Sequence, residues 1–203
     1  MANLQQKQLH NNPAFILGNG VSRKGLDLNL LRRFGTIYGC NALYREFDPD
    51  HLIAVDAKMI KEIVQTGYHR QHKVWTNPNH SVKDIPDINY LNPHLGWSSG
   101  PTAMWLAAQH GHTEMYLFGF DYLGIDGKLN NVYANTENYR KSTDQATYYG
   151  NWINQTASVI KQNAHIKFYR VVRETCFTAF KELPQGVQNF QHMGYDEFHA
   201  KYL

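Results

Sequence analysis

Short apolar runs take turns with stretches of helical periodicity along most of the 203 residues, and that alternation leaves few folds open. AFIL (14–17), bounded by Pro13 and Gly18, is too short for a helix and reads as a buried strand. TIYGC (36–40), HLIAV (51–55), KVW (73–75), MYLF (115–118) and HIKFYRV (165–171) read the same way. Between them, 26–34, 57–67, 98–110 and 142–162 carry apolar residues at helical spacing. Pro101 falls in the first turn of the third of these, where its missing N–H costs nothing, and Ser142, Thr143 and Asp144 are available as caps for the fourth. Parallel strands need crossover connections. The pattern therefore predicts an α/β fold, a three-layer Rossmann-like arrangement with a mostly parallel sheet and helices on both faces, in a single domain over 1–203.

Two stretches stand outside the alternation. Residues 77–97 are rich in Asn, Pro and Asp and read as a long irregular loop with room for one short strand. Residues 121–141 are polar, rich in Gly and Asn, and interleaved with tyrosines, the composition of a lid insertion expected to be more mobile than the core. The aromatic tail NFQHMGYDEFHAKYL is read as covering either its own core or a neighbouring copy, so a homo-oligomer stays open.

With 42% hydrophobic residues and 15 glycines the chain is globular rather than disordered. It holds no run long enough to span a membrane and its first residues do not resemble a signal peptide, so a cytoplasmic location is expected. Cys40 and Cys176 build neither a disulfide framework nor a zinc site and are read as packing residues. The net charge of +3 is scattered, which suits a small anion more readily than nucleic acid. The 11 histidines make affinity for any anion rise as pH falls through about 6.5.

Ligands of parallel sheets bind beyond the carboxyl ends of the strands, and several suggestive residues follow strands here. GNGVS comes directly after the first strand: Gly18 and Gly20 allow a tight turn, while Asn19 and Ser22 add hydrogen-bonding groups near an anion. It has neither GxGxxG spacing nor a P-loop lysine, and a plain turn explains it equally well. SSGPTA opens the third helix, where free N–H groups and the dipole favour a phosphate or carboxylate against Ser98, Ser99 and Gly100. The ordinary reading is a serine cap. Two anion loops after strands favour nucleotide binding, and they must converge at one sheet edge if they serve one nucleotide.

Asp56 and Asp121 each follow a strand and are suited to a ribose hydroxyl, magnesium or a substrate amine, though Asp also begins turns there. GWSSG matches a serine-hydrolase elbow formally, with acids and histidines downstream in the required order, but no strand leads into the serine. His110 and His112, two apart on a helix, point away from each other and are read as non-metal.

Taken in order, FILGNGVS, GCNALY and SSGPTAMWLAAQHGHTEMYLFGFDY resemble the nucleotide-binding half of the bacterial family 42 sialyltransferases, with their GNGxS turn, CN after the second strand, TSG-like helix start and later GxD. GFDYLGIDGKLNNVYANT also resembles the MptE-like pterin pyrophosphokinases. The likeness covers about residues 14–135. The first resemblance implies that Gly18, Asn19, Gly20, Asn41, Ser98, Ser99 and Gly100 surround a cytidine nucleotide, a CMP-type donor moiety, and that Tyr133 and Tyr139 steady the departing phosphate. The chain departs from that family at Gly96, where an arginine is expected, and at YRKSTD (139–144), where Tyr139 stands in place of the catalytic histidine of an HSKxTD stretch. Asp121, Asp56 and His94 are then the candidate bases. The second resemblance implies Asp56 and Asp121 near magnesium and a triphosphate at the helix start.

The function expected from the sequence is a nucleotide-binding transferase, glycosyl transfer from a nucleotide-sugar donor of the sialyltransferase-like type, without a resident cofactor. The alternatives are pyrophosphoryl transfer to a pterin-like alcohol, a silent nucleotide-binding module, and at a distance a serine hydrolase.

Overall fold

The computed structural model describes residues 12–173 and 187–202; Cys176 lies outside them. Its centre is a sheet of eight strands, all parallel: β1 (Ala14–Leu17), β2 (Thr36–Cys40), β3 (His51–Ile53), β4 (Val74–Thr76), β5 (Ile88–Tyr90), β6 (Glu114–Phe118), β7 (Lys167–Val171) and β8 (Phe190–Met193). The spatial order is β5-β4-β3-β2-β1-β6-β7-β8. The chain winds outward from β1 to β5, crosses back, and resumes on the other side of β1 with β6. The order reverses between β1 and β6, and there the two outgoing connections leave toward opposite directions and open a crevice.

Strand side chains alternate between two cores, as a pleated sheet covered on both faces requires. Phe15, Leu17, Ile37 and Phe118 face α1 (Leu28–Leu31), α2 (Ala57–Gln65) and α5 (Tyr195–Tyr202), which contribute Leu31, Met59, Ile60, Ile63 and Phe198. Ala14, Ile16, Tyr38 and Leu117 face α3 (Ser99–Gln109) and α4 (Gly150–Gln162), which contribute Ala103, Met104, Ile153 and Ile160. This is the three-layer arrangement expected from the alternation. Within it α3 is buried on most sides, from Ser99 to Ala107, which fits its near-uniform apolar composition.

Three elements differ from the sequence reading. The first helix shrinks to one turn, Leu28–Leu31, capped by Asp27, whose carboxylate accepts the Asn29 N–H. The fourth begins at Gly150 and not at Ser142, because 144–146 is drawn into a ribbon with the lid: the N–H of Leu129 donates to Asp144 O, and that of Ala146 to Gly127 O. Lid pairing outcompetes helical periodicity there. The C-terminal stretch supplies β8 and α5, and Phe198 packs edge-on against Phe118, with ring centres 5.0 Å apart. The aromatic tail covers its own core. Among the described residues no helix is long and apolar enough to cross a membrane.

Candidate functional site

At the sheet reversal the turns after β1 and β6 interlock. The Gly18 N–H donates to Phe118 O at 2.8 Å and the Gly20 N–H to Gly119 O at 2.9 Å. A Cβ on Gly18 would lie 2.8 Å from Gly119 O, and one on Gly20 would lie 2.4 Å from the Asp121 carboxyl carbon. The two backbones approach this closely only because both turns are built from glycine. Asp121 completes the clasp. Its Oδ2 accepts the Ser22 N–H at 3.0 Å and its Oδ1 accepts the Ser22 hydroxyl. Beneath the turn, fully buried Arg170 of β7 donates from Nε to Phe120 O at 2.5 Å and from Nη2 to Asp121 O at 2.7 Å.

The N-terminus of α3 enters the same crevice. Ser99 donates its hydroxyl to Asn41 Oδ1 at 2.8 Å and accepts the Val55 N–H at 3.3 Å, so the ends of β2, β3 and α3 are tied together. Asn41 follows β2 with φ +55°, the left-handed region that Asn tolerates better than most residues. The Ser98 N–H donates to Gln155 Oε1 of α4 at 3.0 Å. The first turn leaves the N–H groups of Ser99 and Gly100 without helical partners, and Pro101 has none to offer. A Cβ on Gly100 would press on the Phe120 ring at 3.1 Å, so glycine lets helix and turn close together. The result is an open cleft between the GNG turn, Asn41, the α3 N-terminus and Asp121, walled by Tyr149, the N-cap of α4, and by Trp152 in its first turn.

The segment between β6 and α4 folds over one side of this cleft. The Val132 N–H donates to Asn19 O at 2.8 Å, and Asn130 Oδ1 accepts the Val21 N–H at 2.8 Å. Tyr139 Oη accepts Asn19 Nδ2 at 3.3 Å and the Ala42 N–H at 3.4 Å. Burial pushes the Tyr139 hydroxyl up to about 12, so it stays protonated at neutral pH. Further out, Arg45 pairs with Glu62 at 2.6 Å and donates to Thr136 Oγ1 and Glu137 O, both at 2.9 Å, pinning the lid tip to α2.

No protein-family model matches this chain, and no curated protein sequence matches it. Among solved structures it is similar to a mutant of the alpha-2,3/8-sialyltransferase CstII, with 15% identity over 78% of this chain and 80% of that one and a TM-score of 0.43.

Of the residues singled out from the sequence, Gly18, Asn19, Gly20, Asn41, Ser98, Ser99, Gly100 and Asp121 line the one cleft. The GNGVS and SSGPT loops do converge at the carboxyl edge of the parallel sheet. Ser22 is spent on Asp121 and is not among the lining residues. Tyr139 and exposed Asp56 line an adjoining hollow that shares Asn41. Tyr133 is placed elsewhere: it is buried, donates to Glu46 Oε1 at 2.5 Å and accepts Arg23 Nη2 at 2.8 Å, which removes its hydroxyl from the cleft. His94 is exposed on the loop before α3 and does not line the cleft.

The serine elbow is absent in geometry, since residues 91–97 separate β5 from Ser98. The carboxylates proposed for magnesium do not fit it either. Asp121 lines the cleft and Asp56 the adjoining hollow, so the two carboxylates do not share one site, and among the described residues no group of three His, Cys, Asp or Glu is placed to hold a metal. Arg170, Gln155, Tyr149 and Trp152 went unread as site residues. Arg170 carried a signal: a cation inside the otherwise apolar run HIKFYRV asks for buried acceptors.

Proposed function

We propose that this cleft binds a nucleotide and that the protein transfers a glycosyl group from a nucleotide-sugar donor. The observation that carries the reading is the convergence, at the reversal of a parallel sheet, of the GNG turn, Asn41 and an α3 N-terminus with open N–H groups. The donor's phosphate lies against the Ser99 and Gly100 N–H groups. Tyr139 lines the adjoining hollow, and its hydroxyl reaches the edge of the cleft at Asn19; already accepting two N–H groups, it keeps its own proton to donate toward the departing phosphate oxygen, where negative charge grows as the glycosyl bond breaks. The acceptor hydroxyl then attacks an oxocarbenium-like carbon and loses its proton. Asp121 is the acid among the described lining residues; Ser22 takes two of its roughly four lone-pair sites, which leaves acceptor capacity for that proton.

This reading calls for no resident cofactor or metal and takes the chain to act in the cytoplasm on a small nucleotide rather than on nucleic acid. A thermal-shift series with CMP, CDP, ATP and GTP, each with and without magnesium, tests it. CMP is expected to stabilise without metal, by about 2.7 kcal/mol at one hundred times its dissociation constant. Stabilisation by none of the four overturns the reading; stabilisation by ATP only with magnesium transfers it to phosphoryl chemistry.

A further inference from the structure

The α4 wall of the cleft is not used by the phosphate-binding groups, and its chemistry is different from theirs. Tyr149 and Trp152 stand about one helical turn apart in edge-to-face contact, ring centres 5.6 Å apart, and both line the cleft with Phe120, Leu123 and Leu129. The Tyr149 hydroxyl is closed off from solvent and has no hydrogen-bond partner. An enclosed hydroxyl of this kind is costly to leave unsatisfied, and a ligand offering an acceptor removes that cost. Burial, with the nearby Asp121 charge, holds the hydroxyl above its ordinary range, so it is a donor at neutral pH.

Position adds a second constraint. Gln155, on the same helix, holds the Ser98 N–H at the α3 N-terminus. Tyr149 and Trp152 lie toward the N-terminal end of α4 from Gln155, Tyr149 by six residues or about 9 Å of axial rise, so the aromatic pair is set apart from the α3 N-terminus that Gln155 contacts. A sugar ring in this place would bring a hydroxyl on nearly every carbon and ask for as many polar partners. The wall offers one hydroxyl among aromatic and aliphatic groups, which suits a flat ring with a single polar edge.

We infer that Tyr149 and Trp152 seat the nucleobase of the bound nucleotide, with the Tyr149 hydroxyl donating to an acceptor on the base edge and Trp152 covering the ring. The inference rests on the nucleotide reading of the cleft. Calorimetric titration of CMP and of ribose 5-phosphate, which lacks the base, into the parent, Tyr149→Phe and Trp152→Leu separates the two. Tyr149→Phe removes only an unbonded hydroxyl and keeps the fold. It is expected to weaken CMP about tenfold, the value of one hydrogen bond, and to leave ribose 5-phosphate unchanged. Trp152→Leu is expected to weaken CMP tenfold or more through lost stacking, again without weakening ribose 5-phosphate. Parental CMP affinity in both variants overturns the inference and leaves nucleotide binding standing. Equal losses for CMP and ribose 5-phosphate also overturn it, because the residues would then act at the phosphate or on the fold. If the parent binds neither compound, the reading and the inference fall together.

Discussion

Both oxygens of Asp121 are held by Ser22, and the turns that they join cannot separate without losing those contacts. Ser22→Ala leaves the buried Asp121 Oδ1 without its partner and is expected to cost about 1–3 kcal/mol in urea unfolding; an unchanged midpoint would mean the interlocked glycine turns hold without it. Tyr139 shows the opposite balance, since Asn19 Nδ2 and the Ala42 N–H both point at its oxygen and its proton is uncommitted. In a transfer assay Tyr139→Phe should lower turnover about 10²-fold, the usual effect of losing one donor to a developing oxyanion, with nucleotide affinity within a few-fold of the parent. Full turnover in that variant removes Tyr139 from the proposed chemistry. At this scale the sequence identified the residue types but not their commitments: GNGVS and FGFDY each looked like a loop facing a ligand, and only their mutual hydrogen bonds show how much of each loop faces the other.

The segment read as a mobile lid is tied down by side chains from outside it. Arg23 reaches Tyr133 and Glu46, and Arg45 reaches Glu62, Thr136 and Glu137. The hydrogen bonds from Tyr133 and Arg23 hold the Glu46 carboxyl below the usual range although burial pushes it up. Such anchors lie far apart in sequence, so a composition that buries little apolar surface cannot reveal them. The same distance effect moved the start of α4, where pairing of 144–146 with 127–129 is invisible to a periodicity test within one window. Arg45→Ala releases the lid tip while leaving the core intact. It is expected to speed proteolytic cleavage within 134–141 severalfold, read by mass spectrometry of timed digests, with little change in the global melting temperature. Cleavage at the parental rate would show that the contacts at Asn19 and Val21 are sufficient to hold the segment.

Over the whole molecule, the strand-helix alternation was legible because each buried strand is a local run, and the switch point followed from the order of those runs. Tertiary chemistry was not legible where a side chain serves groups far from it in sequence, as Arg170 does for the turn after β6 and as a histidine cluster does on the α3 face of the sheet. There the Tyr38 hydroxyl lies 2.7 Å from His110 Nδ1 and 3.0 Å from His112 Nε2, His112 Nδ1 lies 2.8 Å from Asn12 O, and Trp75 Nε1 donates to His51 Nδ1 at 3.1 Å. His51 also stacks on Tyr38 with ring centres 4.8 Å apart. Protonating His51 at Nδ1 would remove the acceptor for Trp75 and place a cation beside His110 and Lys73, with Asp50 the one opposing charge among these neighbours. Burial first, then the His110 and Lys73 charges, lowers its pKa to about 4, against about 6.5 in the unfolded chain. Between those values the unfolded chain binds more protons, so this contribution to stability is complete above pH 6.5 and lost as pH falls toward 4. Discounted for partial exposure it is on the order of 2 kcal/mol, and His110, lowered chiefly by burial, acts in the same direction. Glu46 and Glu62, both lowered, lose their contributions at more acidic pH, below about 4.5. Urea midpoints at pH 7.5, 6.5, 5.5 and 4.5 should therefore fall in the parent before the carboxylates titrate, and fall less steeply in His51→Gln, which carries no titrating group there. Parallel slopes for the two proteins would show that the acid sensitivity arises elsewhere in the fold.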